Sequence, residues 1–528
     1  MSSEWWREGV LYQIYVRSFA DSDGDGIGDL RGVIDRLDHL TWLGVDGIWL
    51  SPVHPSPNLD WGYDVADYRD VHPELGDLQT LDELVAAAGE RGIRVLLDLV
   101  PNHTSDRHAW FVDSRSSRES EHRDWFVWAD PGPDGSPPNN WLSVFGGPAW
   151  EPDQATGQSY LHNFLTEQPD LNWGSREVHD AFDDILRFWF DRGIAGFRID
   201  VANGLFKDAE LRDNPSPTDD DPLEVRRRGQ RFVYNMNRPE VHDVYRRWRT
   251  LADGYEPGRV LVGETWLFDP VLLATYYGTE TDELHLCFNF SFIFEDLDPA
   301  PLRAIVEATE AALPEGAQPA WTGSNHDVGR FPSRWCGGDA ARIRCALLTM
   351  LTLRGTPFLY YGDEIGMPEV PIPRERVRDG AGLIGEAQVV RDPGRTPMQW
   401  TAEPGAGFTR AGVEPWLPLG DAALVNVADQ RSDPASVLTL CRDLIALRRA
   451  TPDLRSGAYA SLPSPDGMWA WRRGGSTVVA VNLSDEAATL PVGTAAIEIG
   501  TDRSRDGEAV EGDLGLGPWE GAVLRLRD

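Results

Sequence analysis

Carboxylates recur along the chain, each at the end of a short apolar run. Asp98 and His103 close IRVLLDLV (93–100) and the residues just after it. Arg198 and Asp200 end IAGFRID (194–200), Glu264 ends RVLVGE (259–264), and His326 with Asp327 follows QPAWTGSN (318–325). A single such Asp reads equally well as a helix N-cap. Three carboxylates from three runs, flanked by Arg and His, fit a reactive set better. Their chemistry is that of glycosidic bond cleavage. One carboxylic acid protonates the departing oxygen, and a second carboxylate stabilises or captures the oxocarbenium carbon. The neighbouring Arg and His are expected to hold the nucleophilic carboxylate ionised, while the acid needs a raised pKa.

For these groups to meet, the runs must be neighbouring strands. VLYQIYV (10–16), VDGIWL (45–50), ELHLCFNF (283–290) and TPFLYY (356–361) complete a set of eight apolar runs. Helical patterns lie between them, such as TLDELVAAAGERG (80–92) and VHDAFDDILRFWFDRG (178–193). Continuous apolar strands alternating with helices indicate parallel βα units. Eight units predict an α/β fold, the (β/α)8 TIM barrel, whose chemistry sits at the C-terminal strand ends. An open doubly wound sheet is the alternative. The barrel is expected over 1–103 and 176–452, with an inserted domain B over 104–175 after the third strand. A second insertion, 365–425, follows the eighth strand; both are rich in Pro and Gly, and loops of this length are usually functional. After SVLTLCRDLIALRRAT (436–451) the pattern changes to short strands and turns, predicting a C-terminal antiparallel β-sandwich domain over 453–528.

The 528 residues carry 49 basic and 85 acidic side chains, a net charge of −36. That balance disfavours nucleic acid, acidic membranes and strongly anionic substrates as partners. Lys207 is the sole lysine. The 21 Trp suit sugar-binding surfaces, although most Trp serve as core filling. Cys287, Cys336, Cys345 and Cys441 are scattered, with none in a CxxC pair, and Cys287 and Cys345, in apolar runs, read as buried free thiols. The N-terminus lacks a basic segment followed by an apolar one, and no stretch approaches ~20 apolar residues, so the expected compartment is the cytoplasm, with no membrane.

DSDGDGIGD (21–29) sets Asp21, Asp23, Asp25 and Asp29 around the Ile27 carbonyl on a Gly-loosened loop. Alternating oxygens of this kind suit a hard cation, Ca²⁺ or Mg²⁺. The start is EF-hand-like, yet the twelfth position is Gly32 and the loop follows a strand. An acidic surface turn is the plain alternative. No zinc, phosphate-loop or GxSxG pattern is present in the sequence, and no organic cofactor is expected.

GFRIDVANG (196–204), LVGETW (261–266), SNHDVGR (324–330) and DLVPNH (98–103) resemble the four signature segments of the α-amylase family of glycoside hydrolases, family 13. QPDLNW (168–173) resembles a fifth, and the likeness spans nearly the whole chain. DWGYDVADY (60–68), SVFGGPAW (143–150) and RTPMQW (395–400) are similar to the α-glucosidase and oligo-1,6-glucosidase branch. The resemblance implies Asp200 as nucleophile, Glu264 as acid/base and Asp327 as the carboxylate that holds sugar hydroxyls. It implies that Arg198 pairs with Asp200, supported by Asp98, and that His103 and His326 bond the glucose beside the scissile bond. Tyr63 would stack on that ring, Phe145 and Phe164 would line the pocket, and Asp60 with Arg395 would close it. The branch also implies a structural cation at the 21–29 loop. The implied substrates are small α-glucosides such as maltose and malto-oligosaccharides, cleaved from the non-reducing end with α-1,4 linkage preferred. Ala202–Asn203–Gly204 and GETW favour that linkage, whereas Val201 favours the oligo-1,6-glucosidases. A transglucosidase or isomerase uses the same glucosyl-enzyme intermediate and differs only in acceptor. A catalytically dead binding module is disfavoured by the intact carboxylates.

Overall fold

The computed structural model describes residues 4–380, 382 and 390–527, so part of the 365–425 insertion lies outside the described residues. The first three apolar runs become β1 (Leu11–Ile14), β2 (Gly47–Leu50) and β3 (Arg94–Leu99). Every residue of β1 and β2 is buried, as a strand covered on both faces requires. The insertion after β3 holds β4 (Trp128–Ala129), β5 (Trp150–Asp153) and β6 (Gln158–Leu161), a small antiparallel sheet ordered β4-β6-β5. The chain then returns through β7 (Gly196–Ile199), β8 (Val260–Gly263), β9 (Leu286–Cys287), β10 (Ala320–Thr322) and β11 (Thr356–Tyr360).

The parallel sheet runs β10-β11-β1-β2-β3-β7-β8-β9, and a parallel bridge between Phe288 and Ala320 joins its two ends. The eight strands therefore close into a barrel in chain order, which removes the doubly wound alternative. Alternate residues of each strand enter two cores. Leu11, Trp49, Leu96, Val260, Val262, Leu286 and Phe358 fill the barrel. Tyr12, Ile48, Leu50, Val95, Leu97, Phe197 and Leu261 pack outward under the helices. Of those helices, Arg176–Asp191 buries Val178, Phe182, Ile185, Leu186 and Trp189, the three-to-four spacing of one apolar face.

One expectation changes, and two features go beyond the sequence reading. ELHLCFNF forms a strand only at Leu286–Cys287, because Asn289 caps a helix at Phe290–Phe294 by accepting the Phe292 N–H at 2.9 Å. Residues 200–240, given no special place by the sequence, form a long loop on domain B. It is fixed there by Trp141 Nε1 donating to the Arg212 carbonyl (2.8 Å) and Gln230 Nε2 to the Asn140 carbonyl (2.7 Å). Finally, the C-terminal strands pair into one continuous hydrogen-bonded set. β12 (Tyr459–Leu462), β13 (Met468–Arg473), β14 (Thr477–Asn482), β15 (Ala488–Gly500), β16 (Ala509–Leu516) and β17 (Glu520–Leu526) make one antiparallel sheet, β12-β13-β14-β17-β15-β16. The reason is that β17 pairs with both β14 and β15 and so joins what would be two layers. One face of this sheet, with Trp469, Trp471, Val479, Val481 and Val523, belongs to the outer core of the barrel. The other gathers Met468, Ala470, Ile497, Val510, Leu514 and Leu524.

Candidate active site

Register brings the strand-end carboxylates together. Asp98 on β3 stands beside Arg198 on β7, and Ile199 stands beside Gly263 on β8, which places Glu264 next to Asp200. Arg198 and Asp200 are two apart and share the inward face. The buried Arg198 guanidinium serves three acids. Its Nη1 donates to Asp98 Oδ1 at 2.9 Å and Asp200 Oδ1 at 2.7 Å, and its Nη2 lies 2.7 Å from Glu264 Oε2. Asp98 also accepts from Trp49 Nε1 (3.1 Å) and the Tyr63 hydroxyl (2.9 Å). Burial pushes Asp98 up to about 6 despite Arg198. Burial, with the charges of Glu264 and Asp98, holds Asp200 well above the usual carboxylate range, and Arg198 only opposes this. Arg198 pairs with Asp200 as expected, and one cation among three buried acids makes their protonation a property of the coupled group.

The backbone just past the strands is strained. Val201 sits at φ 45°, costly for a β-branched residue, and donates its N–H to Glu264 Oε2 at 3.1 Å. Trp266, two residues past Glu264, sits at φ 43°.

A second group faces this one from the loops. The Tyr63 hydroxyl lies 2.6 Å from His326 Nε2, and the two rings stack at 5.2 Å. Gln13 Nε2 donates to His326 Nδ1 (2.8 Å), leaving the imidazole proton on Nε2, 3.2 Å from Asp327 Oδ2. Burial and the neighbouring arginines hold His326 neutral, well below its usual value. Arg391 spans Asp60 (2.7 Å), Asp379 (2.7 Å) and Asp327 (3.1 Å). Arg395 reaches Asp327 at 3.1 Å and gives its Nε–H to the His326 carbonyl at 2.8 Å. Burial works to raise Asp327, but His326, Arg391 and Arg395 together hold it far below the usual range.

The expected Asp60–Arg395 pair is therefore replaced by Asp60–Arg391. The short turn Asp392–Gly394 separates the two arginines and turns Arg395 toward His326 and Asp327 instead. His103 packs nearby, with Nε2 3.2 Å from both the Tyr63 carbonyl and Gln168 Nε2. Phe164 lies 5.1 Å from the His103 ring and 5.7 Å from Phe145, and Arg391 sits 5.6 Å over Phe145. The substrate-side residues expected from sequence are thus linked by contacts into one cluster. Sequence reasoning missed Arg391, Asp379, Gln168 and Gln13. For Arg391 the signal existed, a second cation four residues before Arg395 in RDPGRTPMQW. Lys207 sits behind the site, donating to Asp170 (2.8 Å) and Asn102 (2.8 Å).

At the 21–29 loop, carboxylate oxygens of Asp21, Asp23 and Asp29 lie within 4.8 Å of one another. Asp25 stands outside that trio, because its Oδ1 closes a turn by accepting the Ile27 N–H at 2.8 Å. Burial and the charges of Asp23, Asp21 and Asp29 raise Asp25. Glycine is required at Gly26, where a Cβ would meet the Glu414 carbonyl at 2.3 Å. Oxygen donors converging without an ion-pair partner fit a hard cation.

Residues 13–457 match the family model described as alpha amylase, catalytic domain. A probable alpha-glucosidase of Rhizobium meliloti is 42% identical, covering 99% of this chain and 97% of its own. An oligo-1,6-glucosidase of Heyndrickxia coagulans is 37% identical, covering 92% and 94%. Among solved structures, the alpha-glucosyl transfer enzyme XgtA has a TM-score of 0.91 at 40% identity, covering 99% of both chains. Trehalulose synthase MutB from Pseudomonas mesoacidophila has a TM-score of 0.89 at 32% identity, covering 100% of both. A closed barrel carrying its carboxylates at the strand ends, matched in family and relatives over nearly its full length, belongs to the alpha-amylase family of glycoside hydrolases.

Proposed function

We propose that this enzyme is a retaining, exo-acting α-glucosidase that releases glucose from the non-reducing end of short α-glucosides, α-1,4 links preferred. The observation that carries this reading is the single Arg198 guanidinium within 2.7 Å of both Asp200 and Glu264. Carboxylates held on one guanidinium lie close together, which favours the retaining arrangement, whose pair stands about 5–5.5 Å apart, over the wider inverting one that admits a water. Glu264 donates its proton to the leaving oxygen as Asp200 attacks the anomeric carbon. Glu264 then takes a proton from the water that releases glucose. Asp327, kept charged by Arg391 and Arg395, would hold sugar hydroxyls and favour the flattened transition state. Tyr63, His103, His326, Phe145 and Phe164 would surround the same ring.

Exo action is supported by the far wall. Arg391 with Asp60 and Asp379 fills the side a longer chain would have to pass through. The α-1,4 preference rests on Ala202–Asn203 and GETW; Val201 and the likeness to an oligo-1,6-glucosidase support the 1,6 reading instead. The likeness to glucosyl-transferring enzymes supports transfer as the competing fate of the intermediate. NMR of the first product tests retention: β-glucose would refute it. Time courses on maltose, isomaltose and soluble starch test the rest. Faster turnover of isomaltose would replace the linkage preference, and early long oligosaccharides from starch would refute the blind pocket.

The reading includes a structural Ca²⁺ or Mg²⁺ held by Asp21, Asp23 and Asp29, with Asp25 and the Ile27 carbonyl as further oxygens. A cytoplasmic location is supported by four buried, unpaired cysteines. Among the described residues, no helix is long and apolar enough to cross a membrane.

A further inference from the structure

The protonating carboxyl defines a direction. Glu264 faces the leaving oxygen, so the departing group lies on the Glu264 side, away from the Arg391 wall. That side is built by the loops after β7 and β8. Trp266 follows Glu264 by two residues on a strained backbone, its indole backed by Phe290 (5.1 Å, stacked) and Phe294 (5.2 Å). Arg228, from the 200–240 loop, lies over the indole with Cζ 3.9 Å from the ring centroid and 5.8 Å from Phe232. Its place is fixed by Gln230, buried two residues on, which donates to the Asn140 carbonyl and accepts the Leu142 N–H (3.1 Å).

Among the described residues no acceptor takes a side-chain hydrogen bond from Arg228, and no carboxylate pairs with it. Yet burial lowers it to about 10, against the pull of Glu224 and Glu264. A half-buried guanidinium whose N–H donors meet no protein acceptor among the described residues leaves those donors facing outward, free for the acceptors of a ligand. Held on the indole, with Phe290 stacked against the same ring, the guanidinium has a fixed plane from which its N–H donors suit the hydroxyls of a neutral sugar.

We propose that Arg228 is a specificity-determining residue of the leaving-group side: laid on Trp266, it donates hydrogen bonds to hydroxyls of a departing sugar, and of a sugar acceptor after the glucosyl-enzyme forms. The proposal rests on the glucosidase reading above. It makes Arg228 the residue that favours sugar over both a plain aryl leaving group and water. A p-nitrophenyl group offers no hydroxyl to Arg228.

The test compares kcat/KM on maltose and on p-nitrophenyl α-glucopyranoside for the parent, Arg228→Met and Arg228→Lys. Met keeps an alkyl body over the indole without donors; Lys keeps a donor. In Arg228→Met the maltose-to-aryl ratio should fall about tenfold, equivalent to about 1.4 kcal/mol. The share of transfer products at high maltose should fall at least about twofold, and Lys should restore part of both. A ratio within about twofold of the parent, or equal losses on both substrates, overturns the proposal and leaves Arg228 a loop anchor. Melting curves identify a variant that fails to fold; Arg228→Gln then takes its place under the same criteria. A parent that releases glucose from neither substrate refutes the glucosidase reading, an outcome separate from any change in the ratio.

Discussion

The two walls of the pocket use the same residue types to opposite ends. On the strand-end wall one guanidinium, Arg198, faces Asp98, Asp200 and Glu264. Burial outweighs that one cation, so Asp98 rises to about 6 and Asp200 rises well above its usual range. On the loop wall two guanidiniums, Arg391 and Arg395, face Asp60, Asp379 and Asp327. There burial loses to the cations, and Asp327 and Asp379 are held far below. The ratio of cations to acids decides which wall keeps a mobile proton and which keeps fixed charge. Proton transfer suits the first and gripping a neutral sugar suits the second.

The largest expected effect is on the proton-bearing wall. Asp200→Asn and Glu264→Gln should each lower kcat about 10⁴-fold or more with melting temperature near the parent's. Residual activity above about 1% would move the chemistry elsewhere and erase the contrast. Next come the cations. Arg198→Met strands three buried acids and should destabilise the fold by about 3–5 kcal/mol in urea titration. Arg391→Met leaves Asp327 with Arg395 and Asp60 with Gln168, so stability should fall less while KM for maltose rises about 10–100-fold. Equal destabilisation with an unchanged KM would break the comparison.

The pH dependence separates the walls by sign. Asp98 in the fold holds its proton up to about 6, whereas the unfolded chain releases it near 4. Its contribution to stability is therefore present in acid and lost as pH rises from roughly 4 to 6. Asp379, held low, contributes above roughly pH 4, and that contribution goes only as pH falls below this. Asp98→Asn should flatten the stability slope between about pH 4 and 6 by about 2 kcal/mol, and Asp379→Asn should leave that slope unchanged. Urea midpoints at the two ends of the window read both. The smallest effect belongs to a third arrangement, Asp21, Asp23 and Asp29, acids with no arginine ion pair among the described residues. Ca²⁺ added after chelation should raise Tm by about 2–3 °C, the equivalent of about 3 kcal/mol at a hundredfold excess over Kd. Identical curves would make that trio a plain acidic turn.

The strand-end wall was legible because period two and parallel register fix it. Once FRID is a strand, Arg198 and Asp200 share a face, and neighbouring strands bring Asp98 and Glu264 alongside. The loop wall was legible only in composition. RDPGR offers two arginines, and nothing periodic says which one meets Asp60; the turn at Asp392–Gly394 decides it. Residues 200–240 were opaque for the same reason, since asparagine and glutamine contacts to domain B, not an apolar repeat, hold them. The truncation of β9 was readable in principle, in an Asn placed to cap the phenylalanines after it. The pairing order of the C-terminal strands was not, because it is a property of the whole set of strands.

That sheet has a consequence for how the molecule comes apart. Trp469 and Trp471 lie in the same apolar layer as the barrel helices, and Arg473 Nη1 donates to the Thr352 carbonyl at 2.5 Å across the join. Barrel and sheet are thus one cooperative unit rather than an engine with a detachable appendage. A chain cut after residue 452 would bare a sticky tryptophan-sized groove along its flank, and would aggregate sooner than it would work as a minimal enzyme.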